Sequence, residues 1–317
     1  MASPTLKQRF DLQRFFRGDQ AVPGPIVLTH RLVFIVPNQR GLGLALLLFI
    51  LWLTSINYSS NLGFILTFLL VAIALLGMLH GYRNLAGLSI RPKPSPPVFA
   101  GEQARWELMV ANPGLLPRYA VWCRCKGAEP VRIDIAAEAT ANPALGLPTA
   151  QRGWLEPGTV RIYSEFPLGL FHAWSLLNFQ ERILVYPRPA PTPMDFPISG
   201  GYGRFNRQAH SAEDFHGFQT YQAGDPLRHI HWKGVAKGHD PQVKRYVGGE
   251  TEDLAFAFEE TPGGDTESRL SRLCRWIIDA EAAGLRYSLS LPGTRIAANS
   301  GAAHSRLCLK TLALFQL

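Results

Sequence analysis

Residues 41–80 read, in succession, GLGLALLLFILWLTSI, NYSSN and LGFILTFLLVAIALLGMLH, and the fold turns on this stretch. From Gly41 to His80 there is no Asp, Glu, Lys or Arg, in a chain where such residues make up 18%. Two apolar runs, Gly41–Ile56 and Leu62–Leu79, flank the polar loop Asn57-Tyr58-Ser59-Ser60-Asn61. A membrane-crossing helix needs about 20 apolar residues. The second run fits, and the first is slightly short unless Pro37–Arg40 sit in the headgroup layer. A helical pair in the core of a soluble protein would show polar residues along one face, and neither run does. A cleaved signal sequence is a poor match, because the apolar run begins only at residue 41 and a second follows. The stretch predicts a two-helix transmembrane hairpin.

Basic residues set its orientation. Lys7, Arg9, Arg14, Arg17, Arg31 and Arg40 precede the first helix, against Asp11 and Asp19, and Arg83, Arg91 and Lys93 follow the second. The inter-helix loop carries no charge. Both flanks therefore belong in the cytoplasm. Lacking ionisable groups within the apolar runs, the hairpin reads as an anchor rather than a channel or transporter. Four cysteines (Cys123, Cys125, Cys274, Cys308) form no disulfide framework, as expected of a reducing compartment. The net charge of +8 suits anionic lipid at the flanks. The Lys and Arg residues are scattered rather than concentrated on one element, so no nucleic-acid partner is expected.

The rest of the chain divides around the hairpin. Residues 1–40 read as a basic cytoplasmic segment, 41–80 as the hairpin and 81–97 as a connector ending in Arg91-Pro92-Lys93-Pro94-Ser95-Pro96-Pro97, which cannot be helix. Residues 98–191 read as a β-sandwich-like domain. Strands are predicted at Ala104–Val110, Tyr119–Cys125, Val131–Ile135, Thr159–Ser164 and Ile183–Tyr186, with a turn at Asn112-Pro113-Gly114. Within 192–317 the first part is rich in Gly, His and charge, with little periodicity. A βαβα order follows: a strand at Leu254–Phe258, a helix capped by Asp265 or Thr266 and stopped at Gly284, a strand at Tyr287–Leu291, and a helix over 304–317. Strand–helix–strand implies a parallel pair.

The densest polar cluster runs from Glu213 to Lys233, and five of the nine histidines fall between His210 and His239. Tyr221-x-x-Gly224-Asp225-x-x-Arg228-x-Ile230-His231-Trp232-Lys233, then Ala236-Lys237 and Val243-Lys244-x-Tyr246, resembles the signature of the domain of unknown function 58 family. Phe166-Pro167-Leu168-Gly169-Leu170-Phe171 and Val185-Tyr186-Pro187-Arg188-Pro189 resemble that family's strand and turn motifs. Gln219 stands where many relatives have Arg. The resemblance implies a membrane-associated accessory protein whose partners are a MoxR-type AAA+ ATPase and transglutaminase-like membrane proteins. It also implies a partial von Willebrand factor A-like C-terminal region. Phe258-Glu259-Glu260-Thr261-Pro262-Gly263 does not match the D-x-S-x-S loop of that fold's metal site.

Read from its residues alone, the cluster allows three chemistries. His229 and His231, two apart, share a face of a strand and with Asp225 or His216 offer a metal site, although no HExxH or CxxC pair supports one. Asp225 with a nearby histidine offers acid–base chemistry, making a metal-dependent or acid–base hydrolase the alternative function, but no nucleophile elbow accompanies them. Alternatively, Gly224-Asp225-Pro226 is a turn, Arg228 pairs with Asp225 or Asp214, Trp232 packs beneath and Lys233 extends outward, displaying polar groups to a partner. Ser199-Gly200-Gly201-Tyr202-Gly203-Arg204 lacks the Lys-Ser/Thr of a phosphate loop and reads as a linker. Cys123 and Cys125 share a strand face and read as buried small hydrophobes, and His80 reads as interfacial. No cofactor is expected. The sequence expectation is a two-pass protein of a bacterial inner membrane with both termini cytoplasmic, its partner motif comprising Tyr221, Gly224, Asp225, Arg228, His231, Trp232 and Lys233.

Overall fold

A computed structural model describes residue 21 and residues 24–192, 195–197, 215–220, 242–246 and 253–316. The chain forms two compact units, residues 1–188 and 189–317.

In the first unit, β1 (Ile26–Val27) and β2 (Phe34–Pro37) lead into helix α1 (Gln39–Asn57), and helix α2 (Asn61–Leu85) leads out into β3 (Ser89–Pro92). At about 1.5 Å per residue the helices are about 28 and 37 Å long, long and apolar enough to cross a membrane. Leu46, Phe49, Ile50, Ile65, Phe68 and Leu75 each expose more than half of their surface. Such a patch in water has no compensation. Small residues bring the helices together: Ser55 and Thr67 are buried, and a Cβ on Gly63 would run into Ser55 Oγ. The hydroxyls of Thr54, Ser55 and Thr67 each donate to the carbonyl four residues back, so none is orphaned in the apolar layer.

The remaining strands of this unit are β4 (Val98–Phe99), β5 (Gln103–Ala111), β6 (Arg118–Cys125), β7 (Val131–Ile135), β8 (Thr140–Ala141), β9 (Ala144–Pro148), β10 (Gly153–Leu155), β11 (Thr159–Ser164), β12 (Phe171–Asn178) and β13 (Ile183–Tyr186). One sheet runs β1-β3-β5-β8, with β9 also on β5, another β2-β12-β11-β6-β7, and a smaller one β10-β13-β4. Pairing is antiparallel except between β13 and β4. Trp106, Leu108 and Val110 from β5 meet Val121 and Cys123 from β6 and Val160 and Ile162 from β11 in one buried core. The period-2 burial of β5 and β11 is what a strand with one face on a core requires.

This arrangement differs from the sequence expectation in where the sandwich begins. β1 and β2, in the stretch read as N-terminal segment, and β3, in the stretch read as connector, belong to the two larger sheets. The hairpin is therefore inserted within the sandwich rather than joined to it by a stiff spacer. Pro92 ends a strand rather than starting a linker, because its missing N–H falls at the end of the pairing with β5. Strands β4, β8, β9, β10 and β12 also lie outside the sequence expectation. β12 mixes His172, Trp174 and Ser175 with its apolar residues, which hides its period.

In the second unit, β14 (Phe215–Thr220) and β15 (Gln242–Tyr246) pair antiparallel within the stretch read as aperiodic. β16 (Leu254–Ala257), helix α3 (Thr266–Ala282) and β17 (Tyr287–Leu291) form the expected parallel pair. β18 (Thr294–Asn299) then returns antiparallel on β17, and helix α4 (Ala302–Leu314) follows. Phe256, Trp276 and Tyr287 stack at the centre of this core.

Candidate functional site at the base of the hairpin

The motif residues Tyr221, Gly224, Asp225, Arg228, His229, His231, Trp232 and Lys233 lie outside the described residues, as do Ser199–Arg204. What is described is their covalent setting: Thr220 pairs with Gln242, so the motif lies in the connection between two paired strands. Gln219 pairs with Val243. Among the described residues, no three His, Cys, Asp or Glu side chains group as a metal ion would need.

The richest polar geometry among the described residues lies where the hairpin meets the sandwich. β2 runs straight into α1 because Asn38 caps it. Asn38 Oδ1 accepts from Gly41 N at 3.0 Å, while its Nδ2 donates to Gly169 O at 2.7 Å and its backbone N–H to Leu170 O at 3.0 Å. The partner of this cap is the β11–β12 turn, Glu165–Leu170, which contains the Phe166-Pro167-Leu168-Gly169 sequence. Gly169, at φ 65°, supplies a left-handed position there. The turn also touches α2: a Cβ on Gly81 would lie 3.1 Å from Phe166 O, and one on Gly77 would lie 2.9 Å from Leu168 Cδ1.

Asn84, in the last turn of α2 and only 4% exposed, fastens the other side. Its Nδ2 donates to Tyr119 O at 2.8 Å and Ser164 Oγ at 2.9 Å, and its Oδ1 accepts from Tyr119 N at 3.0 Å. Arg118 adds a bond from Nη2 to Ala86 O at 3.2 Å, its Nε donating to Asn112 Oδ1 at 3.2 Å. Burial first, and the charge of Arg83 second, draw Arg118 below the ordinary arginine value.

Beside the turn opens a cleft of about 540 Å³ lined by Arg40, Ala120, Trp122, Tyr163, Glu165, Phe166, Pro167, Leu168 and Gly169. Its floor continues across the sheet as an aromatic row in register, Phe34, Trp174, Tyr163 and Trp122. The ring planes of Trp122 and Tyr163 are nearly parallel, 11° apart with centroids at 6.1 Å. The Arg161 guanidinium lies 5.7 Å from the rings of both Tyr163 and Trp174. Arg161 Nη2 donates to His172 Nε2 at 2.9 Å, and His172 Nδ1 lies 3.2 Å from Glu165 Oε1. An arginine can only donate, so Nε2 accepts and the ring proton sits on Nδ1, which donates to Glu165. The chain Arg161–His172–Glu165 thus holds the carboxylate in place at the cleft.

The thiols are unreactive. Cys123 and Cys125 are buried on one face of β6, as expected. Burial pushes Cys123, Cys274 and Cys308 up to about 12, with Arg275 opposing slightly at Cys274. Cys308 Sγ lies 3.6 Å from His304 Nε2, but that nitrogen is committed to Tyr287 O at 2.8 Å, so it is a donor and not the base of a Cys–His pair. Because folding raises these pKa values from 9.0, the unfolded chain releases its thiol protons first. Stability is therefore intact below pH 9 and is lost as pH rises from 9 towards 12, by about 1.4 kcal/mol per pH unit for each thiol. Urea midpoints measured from pH 8 to 10.5 are expected to fall accordingly, and a flat profile would refute the burial of these thiols as protonated groups.

No protein-family model matches the chain, and no curated protein matches it significantly. Arg40 apart, which the sequence shows only as a basic flank, the cleft residues carry no sequence signal of their own. Phe166-Pro167-Leu168-Gly169 is the exception, a motif in the sequence whose place against the hairpin only the fold gives.

Proposed function

We propose that this is a two-pass protein of a bacterial inner membrane, both termini cytoplasmic, that acts as a scaffold or accessory factor rather than as an enzyme. The observation that carries this reading is the hairpin's base: Asn38, Gly41, Gly81 and Asn84 fix both helices directly onto the sandwich. A mount of this kind holds a domain in one orientation to the membrane, which suits presentation to a partner. The basic flanks and the charge-free loop support the orientation. The second unit we read as a partial von Willebrand factor A-like region, supported by its parallel β16–α3–β17 order. The resemblance of Tyr221–Lys233 to the domain of unknown function 58 signature supports a MoxR-type AAA+ ATPase as the cytosolic partner, with transglutaminase-like membrane proteins as further members of an assembly for membrane or envelope complexes.

Topology is tested by thiol labelling, since the native cysteines are buried. A Tyr58→Cys variant should react with a membrane-impermeant maleimide on intact spheroplasts, and Glu129→Cys or Ser300→Cys only after permeabilisation. The reverse pattern sinks the proposed orientation. The partner is tested with purified full-length protein and a purified MoxR-type ATPase. Binding should be lost in Asp225→Ala and Arg228→Ala variants that keep the wild-type melting temperature. Stoichiometric zinc or manganese in the purified protein, lost on His231→Ala, would instead establish the metal-dependent alternative.

A further inference from the structure

We infer that the cleft at the hairpin base binds the headgroup of a zwitterionic, amine-bearing phospholipid, its phosphate on Arg40 and its ammonium between Glu165 and the ring of Trp122. The inference rests on the reading of the hairpin as membrane-crossing.

Depth comes first. Leu168, at the lip of the cleft, packs on Gly77, inside the apolar run of α2, whereas His80 and Arg83 follow it along the helix. Arg40 stands in the first turn of α1. The cleft therefore spans the level at which the apolar surface gives way to charge. That is the headgroup layer, about 5–7 Å thick on each side of a bilayer. Leu168 itself is 48% exposed although it lies beside a lipid-facing helix, as suits a side chain lying along acyl chains.

The chemistry comes second. Arg40 makes no hydrogen bond or ion pair with any described residue. Its guanidinium approaches the turn, where a Cβ on Gly169 would stand 3.5 Å from Nη1. An exposed guanidinium at headgroup level is a phosphate donor. Glu165 faces the same cleft, its side chain 52% exposed. His172 engages only one of its lone pairs, leaving the rest of the carboxylate free for a cation. A cleft built for a purely anionic headgroup would not hold a carboxylate ready. Trp122, its ring nearly parallel to that of Tyr163, adds a π-face that attracts an ammonium and a ring body suited to the interface.

The test uses the full-length protein released from mixed micelles containing equal phosphatidylethanolamine and phosphatidylglycerol, with retained lipid identified by native mass spectrometry. Phosphatidylethanolamine should be retained at least fivefold over phosphatidylglycerol. Glu165→Gln and Trp122→Leu should each abolish that preference, and Arg40→Ala should reduce retention of both lipids. Soluble phosphoethanolamine at millimolar concentration should fail to displace the lipid; displacement would show that the cleft takes the free compound, and would overturn the assignment to lipid. Equal retention, a preference for phosphatidylglycerol, or a preference surviving in both Glu165→Gln and Trp122→Leu would overturn it too. The labelling of Tyr58→Cys separates the two readings: labelled from outside but without lipid preference, the hairpin reading stands and the headgroup site falls.

Discussion

Gly41→Ala lowers the melting temperature of the detergent-solubilised protein by several degrees, while Gly43→Ala, two residues along the same helix, leaves it unchanged or raises it. The two sites share sequence context and helix propensity. At either, alanine by itself favours a helix by about 1 kcal/mol. They differ in what a methyl group meets. At Gly43 there is nothing within reach, whereas at Gly41 it collides with Leu170 O, which is backbone and is held by the N–H of Asn38. Relief requires either the turn to withdraw or the Asn38 cap to open, and each abandons hydrogen bonds worth about 1 kcal/mol apiece. Equal effects at the two positions would mean that the turn does not seat against the hairpin.

Asn84→Leu is expected to cost more, about 3 kcal/mol, since one change removes three hydrogen bonds at a buried position: Tyr119 N–H loses its acceptor, Tyr119 O keeps only a long bond from Ser164 Oγ, and Ser164 Oγ keeps only that bond and the N–H of Phe166. Asn84→Asp discriminates hydrogen bonding from packing. It keeps the volume and the acceptor to Tyr119 N–H but loses the donor, and it buries a charge beside a carbonyl. Chemical denaturation followed by the near-ultraviolet signal of the sandwich tryptophans reads both variants. If Asn84→Asp is as stable as the parent protein, the buried amide is not what fastens α2.

The hairpin was legible because its evidence is local and compositional: forty residues without a charge leave few alternatives. Ile183–Tyr186 and Thr159–Ser164 were legible for a similar reason, their boundaries being set by proline and glycine. The insertion of the hairpin between β2 and β3 was not, because β2 finds its partner in β12, far along the chain, and no window of sequence reports such pairing. The mounting residues escaped for a different reason. Asn38 and Asn84 read as ordinary polar residues beside an apolar run, and Gly41, Gly77 and Gly81 as helix glycines; only the approach of the Glu165–Leu170 turn gives them a role. The Tyr221–Lys233 motif shows the converse, a strong sequence pattern whose described setting is the pair of strands that bracket it.

The position of the hairpin also dictates an order of synthesis. β1 and β2 leave the ribosome before α1, but their partners β3 and β12 lie beyond α2. The first strands must therefore wait, unpaired, while the two apolar helices are made. The sheet that holds β2 can thus close only when β12 emerges. Until β12 emerges, the chain carries two long apolar helices after a strand, β2, that has no partner yet.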